Sequence, residues 1–138
     1  MADKVNFELV SPQRLLMSEA VDMVVVPGAE GDFGVMAEHA PLISTVRPGT
    51  ITVYQDDAVS DRIFVAGGFA EVTGERCTVL AEEAERLDDI DRTAVESQLQ
   101  MLRSDLGAAQ SDEERAALES RIAIAEAKIE ALTTAVYQ

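Results

Sequence analysis

The chain has 138 residues, of which 47% are hydrophobic and 27% are charged, and its net charge is −15. These values fit one domain or two small ones with a real core, and they exclude a disordered tail. The 26 acidic residues outnumber the 11 basic ones, so the surface repels phosphate and anionic lipid headgroups, which excludes nucleic-acid binding.

Leader and membrane segments are not evident in the sequence. Its longest apolar stretches fall far short of the roughly 20 residues of a membrane span, so we expect no direct insertion into lipid. The N-terminus lacks an apolar signal core, and the single cysteine, Cys77, can form neither an internal disulfide nor a cysteine metal site. We therefore expect an intracellular chain.

Glycine and proline divide the chain into two halves. All four prolines and seven of the eight glycines precede residue 75, whereas Ala, Leu, Ile and Glu dominate after about residue 88. The change is from a strand-and-turn composition to a helical one. It predicts an antiparallel β-sandwich over residues 1–85, followed by an antiparallel two-helix hairpin over residues 88–138.

Short strands are predicted along the first half. Val5, Phe7 and Leu9 alternate with polar residues, as in a half-buried strand. A β-branched run over 21–26 predicts a strand closed by Pro27–Gly28. Two hairpins are expected further on, with strands 50–54 and 62–66 around Asp56–Asp57, and strands 69–72 and 77–80 around Gly74–Glu75.

Two helices with apolar stripes are predicted in the second half. The stripes consist of Val95, Leu99, Leu102 and Leu106 in the first helix, and of Leu118, Ile122, Ile129 and Leu132 in the second. Asp88 or Asp89 can cap the first helix and Gly107 can end it, while Ser111 with Glu114 forms a capping box for the second. The acidic segment 82–89 between the halves is expected to be an exposed hinge.

Catalytic patterns are scarce. The only histidine, His39, has no second histidine or cysteine cluster beside it, so we expect a packing or interface role and no metal site. The glycine-rich stretch 28–34 lacks the Gly-Lys-Ser/Thr ending of a phosphate loop and carries Glu30 and Asp32, which would repel phosphate. It is either a loop whose glycines permit positive φ or a docking loop. Gly67–Gly68 predicts a tight turn or bulge.

Five motifs in the first half carry a resemblance to a known family. In order and spacing they resemble the epsilon subunits of bacterial F-type ATP synthase, the equivalent of the mitochondrial delta subunit. The motifs are Glu30–Val35, His39–Ile43, Arg47–Gly49, Gly67–Val72 and Thr78–Ala81.

The resemblance implies a non-catalytic rotor subunit of the central stalk, present in one copy, peripheral on the cytoplasmic face of the bacterial inner membrane. It would couple c-ring rotation to the gamma subunit and the catalytic head, and it implies no cofactor. Gamma and the c-ring are the expected partners, with the alpha and beta subunits of the head as further ones. The interface residues implied are Glu30, Gly31, Asp32, Phe33, Gly34, His39, Ala40, Pro41 and Leu42.

In relatives the helical hairpin lies folded or extends into the head and inhibits ATP hydrolysis, and some relatives bind ATP through an Ile/Leu-Asp-x-x-Arg-Ala motif. Here Ile90–Thr93 is followed by Ala94, so the motif arginine is missing and we expect no ATP sensing. Residues 88–138 hold eleven acidic and five basic residues, a net charge of −6. Because the inhibitory contact is with an acidic segment, we expect weak inhibition or none.

Two other hypotheses fit the residues alone. One is a stand-alone β-sandwich adaptor that binds a helix of another protein. The other is a small enzyme that uses paired carboxylates.

Overall fold

The computed structural model describes residues 3–136. The chain divides into two compact units, one ending at Arg86 and the other beginning at Leu87. The first unit consists of strands and the second of helices, as the compositional change predicts.

Ten strands build the first unit. They are β1 Val5–Val10, β2 Leu15–Val21, β3 Met23–Gly28, β4 Gly31–Val35, β5 Leu42–Val46, β6 Gly49–Gln55, β7 Ala58–Val65, β8 Gly68–Val72, β9 Arg76–Ala81 and β10 Ala84–Arg86. Neighbours follow the order β10-β7-β6-β3-β5-β8-β9-β1-β2, with β4 on the other edge of β3. The ladder folds into two layers, β4-β3-β6-β7-β10 and β5-β8-β9-β1-β2. The predicted β-sandwich is confirmed, with one difference: β1 and β9 pair in parallel.

The two layers meet along a line that we call the fold line, formed by Pro27–Gly28, Val46–Gly49, Ala66–Gly68 and Glu82–Glu83. The only ladder contact between β3 and β5 is the pair Gly28–Val46. At the other three places the chain crosses from one layer to the other, between β5 and β6, β7 and β8, and β9 and β10. Bends of this kind let one hydrogen-bonded ladder cover both sides of a core.

Gly68 shows how close the backbones lie at the fold line. Its φ is +146°, and a Cβ on it would lie 1.9 Å from the carbonyl oxygen of Leu80. Only glycine fits both the dihedral angle and the space. The predicted turn or bulge at Gly67–Gly68 is therefore a crossing between layers.

Apolar side chains from both layers fill the space between them. Val5, Phe7 and Leu9 are buried while Asn6 is exposed, which confirms the predicted alternation in β1. Ile51 of β6 and Val79 of β9 reach the same core from the two layers. Because this core is enclosed on both sides, the first unit has a stable shape of its own.

Both predicted hairpins are present. β6 and β7 pair around Asp56 and Asp57, whose φ angles of 53° and 65° lie in the left-handed region that two-residue hairpin turns require. β8 and β9 pair around the turn that contains Gly74.

The predicted strand over 21–26 is confirmed for residues 23–26, but its predicted start at Val21 is wrong. Strand β2 ends at Val21 and β3 begins at Met23, because Asp22 turns the chain between them. The Asp22 backbone N–H donates to the Tyr54 carbonyl oxygen over 3.1 Å, and its carboxylate accepts the Asp56 N–H over 2.6 Å. Strand β3 then continues through Pro27–Gly28, which the sequence had suggested as its end.

The second unit contains a 3-10 turn over Leu87–Asp89 and the helices α1 Arg92–Gly107 and α2 Asp112–Val136. Gly107 ends α1, as predicted. The cap, however, is Asp91, whose carboxylate accepts the N–H groups of Thr93 and Ala94. The predicted cap at Asp88 or Asp89 is wrong because both aspartates lie inside the 3-10 turn.

Ser111 caps α2 as predicted, but the reciprocal bond of a capping box goes to Gln110, one residue before the cap. The Glu114 N–H donates to Ser111 Oγ over 3.1 Å, and the Glu114 carboxylate accepts the Gln110 N–H over 3.3 Å. Arg103 contacts Glu126 and Arg92 contacts Thr133, each over 3.0 Å, so the helices run antiparallel.

The acidic segment between the units differs from the expected hinge. Ala84–Arg86 forms strand β10, which pairs with β7 and is joined to it by an ion pair between Arg86 and Asp61. Leu87 is buried. The acidic composition did not indicate a strand, because Ala84–Arg86 pairs with residues of β7 that lie 19 to 23 positions earlier in the chain.

Candidate functional site

The glycine-rich stretch 28–34 is a hairpin. Strands β3 and β4 pair from Val24–Val35 to Gly28–Gly31, so only Ala29 and Glu30 remain in the turn. Gly31 has a φ of +137°, and a Cβ on Gly28 would lie 2.7 Å from the Gly31 carbonyl oxygen. The glycines thus permit a very tight turn, with Glu30 at its tip.

The charges at this turn are not equivalent. Nη2 of Arg47 lies 2.5 Å from Oδ1 of Asp32, and Nη1 of Arg47 donates to the Gly28 carbonyl oxygen over 2.5 Å. Glu30 is exposed, and no described residue makes a hydrogen bond or ion pair with its side chain. Of the two acidic residues that the sequence analysis grouped together, Glu30 alone offers an uncompensated charge.

The second predicted segment, His39–Leu42, lies at the opposite end of β5. The preceding residue, Glu38, has a φ of 67° and donates its N–H to the Gly74 carbonyl oxygen over 2.7 Å. Nδ1 of His39 lies 2.7 Å from the Ala40 carbonyl oxygen, so this nitrogen is the donor when they bond. Ala40, Pro41 and Leu42 are exposed.

The two predicted segments therefore do not form one small patch. Strand β5 separates them, running from Leu42 to Val46 beside Gly28. At about 3.3 Å per residue the separation along β5 is about 13 Å. A single partner that touches both segments must cover that distance.

The structure adds an exposed apolar surface that the sequence analysis did not single out. Strand pairing places four apolar residues side by side on the outer face of the sheet, one on each of β2, β1, β9 and β8. In that order they are Leu15, Val10, Leu80 and Phe69. We call these four residues the apolar row. Leu15, Leu80 and Phe69 are each more than half exposed. Side-by-side apolar residues on an outer sheet face are typical of a surface that binds another protein.

Polar side chains lie next to the apolar row. Two residues along the same strands lies the neighbouring row of side chains on this face. It contains Glu8, Thr78 and Glu71. Thr78 Oγ1 donates to the Glu8 carboxylate over 3.2 Å, and Arg76 Nε lies 3.4 Å from the same carboxylate. An apolar centre beside a polar border has the composition of a protein interface.

One sequence signal could have revealed the apolar row. Alternation fails in β1 and β9, where Leu9–Val10 and Val79–Leu80 place apolar residues on both faces. Each pair alone is typical of a strand that is buried on both faces. Only the pairing of β1 with β9 shows that the outward-facing residues, Val10 and Leu80, are neighbours.

Among the residues that the structure describes, the pKa is clearly shifted at Cys77 and at Asp22. Burial raises the pKa of the Cys77 thiol to about 12, so the thiol stays protonated and unreactive near neutral pH. The Asp56 N–H and, secondly, Lys4 hold the pKa of Asp22 below its usual value. Within residues 3–136 no three His, Cys, Asp or Glu side chains are grouped to hold a metal ion. Neither described helix is long and apolar enough to cross a membrane.

Comparison with known proteins covers both units. Residues 4–87 match the beta-sandwich domain of the ATP synthase delta/epsilon chain, and residues 91–137 match the C-terminal domain of the ATP synthase epsilon chain. The ATP synthase epsilon chain of Rhodospirillum centenum is 58% identical over 139 residues, which cover 97% of this chain and 95% of that protein. The epsilon chain of Rhodospirillum rubrum is 56% identical over 131 residues, covering 95% and 98%.

Solved structures show the same fold. A chain of the Euglena gracilis mitochondrial ATP synthase superposes with a TM-score of 0.80 at 22% identity, covering 99% of this chain and 83% of that one. A chain of the Tetrahymena thermophila mitochondrial central stalk and c-ring gives 0.63 at 14% identity, covering 97% of each. With the family matches and the identities above, the resemblance seen in the sequence is confirmed. The chain therefore belongs to the ATP synthase epsilon chains, which are non-catalytic subunits of that enzyme.

Proposed function

We propose that this chain acts in the central stalk as the rotor subunit that joins the c-ring to gamma. In this role it transmits rotation to the catalytic head, is present in one copy, and lies peripherally at the cytoplasmic face of the bacterial inner membrane. The observation that carries the proposal is the apolar row on the outer face of the sandwich, in a chain of this family. The sandwich itself, residues 1–85, is the binding domain.

Gamma is the partner we assign to the apolar row. Phe69 and Leu80 are 58% and 54% exposed, and they lie on paired strands whose inner faces are buried in the core. A rigid sheet that presents such side chains loses little conformational freedom on binding. Burying them against a second apolar surface supplies the main favourable term for a permanent contact between rotor subunits.

The two predicted interface segments, Glu30–Gly34 and His39–Leu42, are the contacts we propose with the c-ring and gamma. Glu30 supports the c-ring assignment because its carboxylate is exposed at the tip of a tight turn and has no partner among residues 3–136. It can pair with a basic residue on a polar loop of the ring. Asp32, held by Arg47, is proposed to shape the turn instead of carrying the contact.

For the helical hairpin, residues 88–138, we propose weak inhibition of ATP hydrolysis or none, and no ATP binding. Arg92, the arginine nearest to the missing motif position, is already joined to Glu96 over 2.9 Å and to Thr133 over 3.0 Å. The net charge of −6 opposes contact with an acidic surface. Deletion of 88–138 is expected to change ATP hydrolysis by the intact complex by less than about twofold, whereas activation by several-fold would contradict the proposal.

Co-purification tests the gamma assignment. Phe69→Asp together with Leu80→Asp places two charges in the apolar row, and we expect the chain to be lost from gamma and from the purified complex. Met101→Asp is the matched control, because Met101 is 68% exposed on α1 and belongs to no apolar row. Retention of the doubly substituted chain in the complex would show that gamma binds elsewhere.

Charge reversal tests the ring assignment. Glu30→Lys is expected to lower ATP-driven proton pumping relative to ATP hydrolysis while the chain stays bound to gamma. Glu19→Lys serves as a control at another exposed acidic residue of the same unit. Unchanged pumping with Glu30→Lys would contradict the assignment of Glu30 to the ring contact.

A further inference from the structure

We propose that Arg47 is the positioning residue that holds the Ala29–Glu30 turn in the shape that presents Glu30 to its partner. The inference rests on the proposed function of Glu30 as a ring contact, and it adds a residue whose role is to order the turn. Arg47 lies outside the turn, in the crossing between β5 and β6.

The guanidinium of Arg47 joins the two sides of the turn. Nη1 donates to the Gly28 carbonyl oxygen over 2.5 Å, on the strand that enters the turn. Nη2 donates to Asp32 Oδ1 over 2.5 Å, on the strand that leaves it. The planar fork of an arginine can donate to two acceptors at once, which a lysine ammonium on a flexible stem does with far less geometric control.

Backbone hydrogen bonds attach the same turn to the fold line. The Arg47 N–H donates to the Pro27 carbonyl oxygen, and the Ala29 N–H donates to the Thr45 carbonyl oxygen, each over 2.9 Å. Both bonds attach the entering side of the turn to the segment 45–47, so among these contacts only the one between Arg47 and Asp32 reaches the strand that leaves the turn. When the guanidinium is removed, these backbone bonds still form but open more often, so we expect a looser turn on an intact sandwich.

Charge gives Arg47 a second effect on the turn. With Asp32 neutralised by Arg47, the two carboxylates Glu30 and Asp32 no longer repel each other fully. The field at the tip of the turn then arises mainly from Glu30. A basic partner is directed to one defined carboxylate, and a preordered turn reduces the entropy lost on binding.

Hydrogen exchange of the full-length chain, followed residue by residue by NMR, tests the ordering step. Arg47→Ala is expected to speed exchange of the Ala29 amide by about tenfold and to leave core amides such as that of Val79 unchanged. Arg47→Lys is expected to behave like Arg47→Ala. Arg76→Ala, which removes another exposed ion pair of the same unit, is the control. An unchanged Ala29 amide in Arg47→Ala, or full protection in Arg47→Lys, would overturn the proposal.

A double-mutant cycle in the intact ATP synthase tests the positioning step. Arg47→Ala and Glu30→Gln should each lower the ratio of ATP-driven proton pumping to ATP hydrolysis. Arg47→Ala should have no further effect when Glu30→Gln is already present, because nothing remains to be positioned. An equal further loss in that background would overturn the proposal.

The two experiments also separate this inference from the proposed function. If Glu30→Gln leaves the pumping ratio unchanged, the ring contact is wrong and the positioning role falls with it. If Glu30→Gln lowers the ratio while Arg47→Ala does not, the ring contact stands and only the positioning role is refuted.

Discussion

The sandwich and the helical hairpin bury their apolar residues in different ways. In the sandwich, Phe7, Leu9 and Ile51 are each less than 2% exposed, enclosed between two layers. In the described part of α2, Ala125 is the single buried residue, and the stripe residues Leu118, Ile122, Ile129 and Leu132 are half-buried. The sandwich is thus stabilised by a core of its own, whereas the hairpin has only a narrow seam between its helices.

The largest expected effect is on the close backbone crossing in the sandwich. Gly68→Ala introduces a strained φ and a collision with the Leu80 backbone, which together should cost about 4 kcal/mol in the free energy of unfolding. Gly107→Ala is the matched change in the hairpin, where an added Cβ meets nothing within 4 Å. It should stabilise by up to about 1 kcal/mol. Urea denaturation followed by circular dichroism measures both, and similar values for the two would contradict the comparison.

The second prediction compares isoleucines in the two regions. Ile51→Ala removes a side chain that is fully buried in the sandwich and should cost about 3 kcal/mol in the free energy of unfolding. Ile129→Ala removes a half-buried side chain of α2 and should cost about 1–2 kcal/mol, since less area is lost from the interior. Thermal unfolding of each variant provides the measurement. A larger loss for Ile129→Ala would mean that the helical seam is the better packed of the two.

The third prediction uses Cys77 as a probe of the sandwich core. Its pKa in the folded chain is about 12, against 9.0 for an ordinary thiol, because burial disfavours the thiolate. The unfolded chain therefore loses this proton first, so stability is complete below pH 9 and falls between pH 9 and 12. At pH 10 the loss should be about 1 kcal/mol. Cys77→Val should remove this part of the pH dependence of the free energy of unfolding. The same pH dependence in the substituted and unsubstituted chains would contradict the prediction.

The smallest expected effect concerns Asp22 at the rim of the sandwich. The Asp56 N–H, and secondly Lys4, lower its pKa from 3.8. The folded chain then binds this proton less readily than the unfolded chain, so the contribution to stability is present above pH 4 and is lost as the pH falls through the folded value. Asp22→Asn should weaken the acid dependence of Tm below pH 4. If the Tm of Asp22→Asn depends on pH below pH 4 as steeply as that of the unsubstituted chain, these contacts do not contribute to stability.

Elements whose interacting residues are close together in the sequence could be predicted from the sequence alone. The hairpin around Asp56–Asp57 needs a two-residue turn with positive φ, and aspartate tolerates that conformation. The start of α2 needs Ser111 and Glu114 three residues apart. In both cases all interacting groups fall within a window of a few residues, so the pattern predicts the structure.

Elements that depend on distant partners could not be predicted in this way. Ala84–Arg86 has an acidic surrounding sequence typical of a loop, and it becomes a strand because β7, which lies much earlier in the chain, pairs with it. Asp88, Asp89 and Asp91 are equivalent as caps by local sequence, and the buried Leu87 and Ile90 around the 3-10 turn distinguish them. The sequence could place Glu30 and Asp32 together but could not reveal that Arg47 neutralises one of them.

The parallel pairing of β1 with β9 has a consequence for synthesis of the chain. Strand β1 pairs with β2 on one edge, but Asn6 pairs with Arg76 on the other, so the second partner of β1 is made about 70 residues later. At 5–20 residues per second this delay is roughly 4–14 seconds on the ribosome. Until then the nascent chain exposes an apolar edge, and long-range closure of this kind makes folding slow. The sandwich core can therefore close only after β9 has been made, late in synthesis of the first unit.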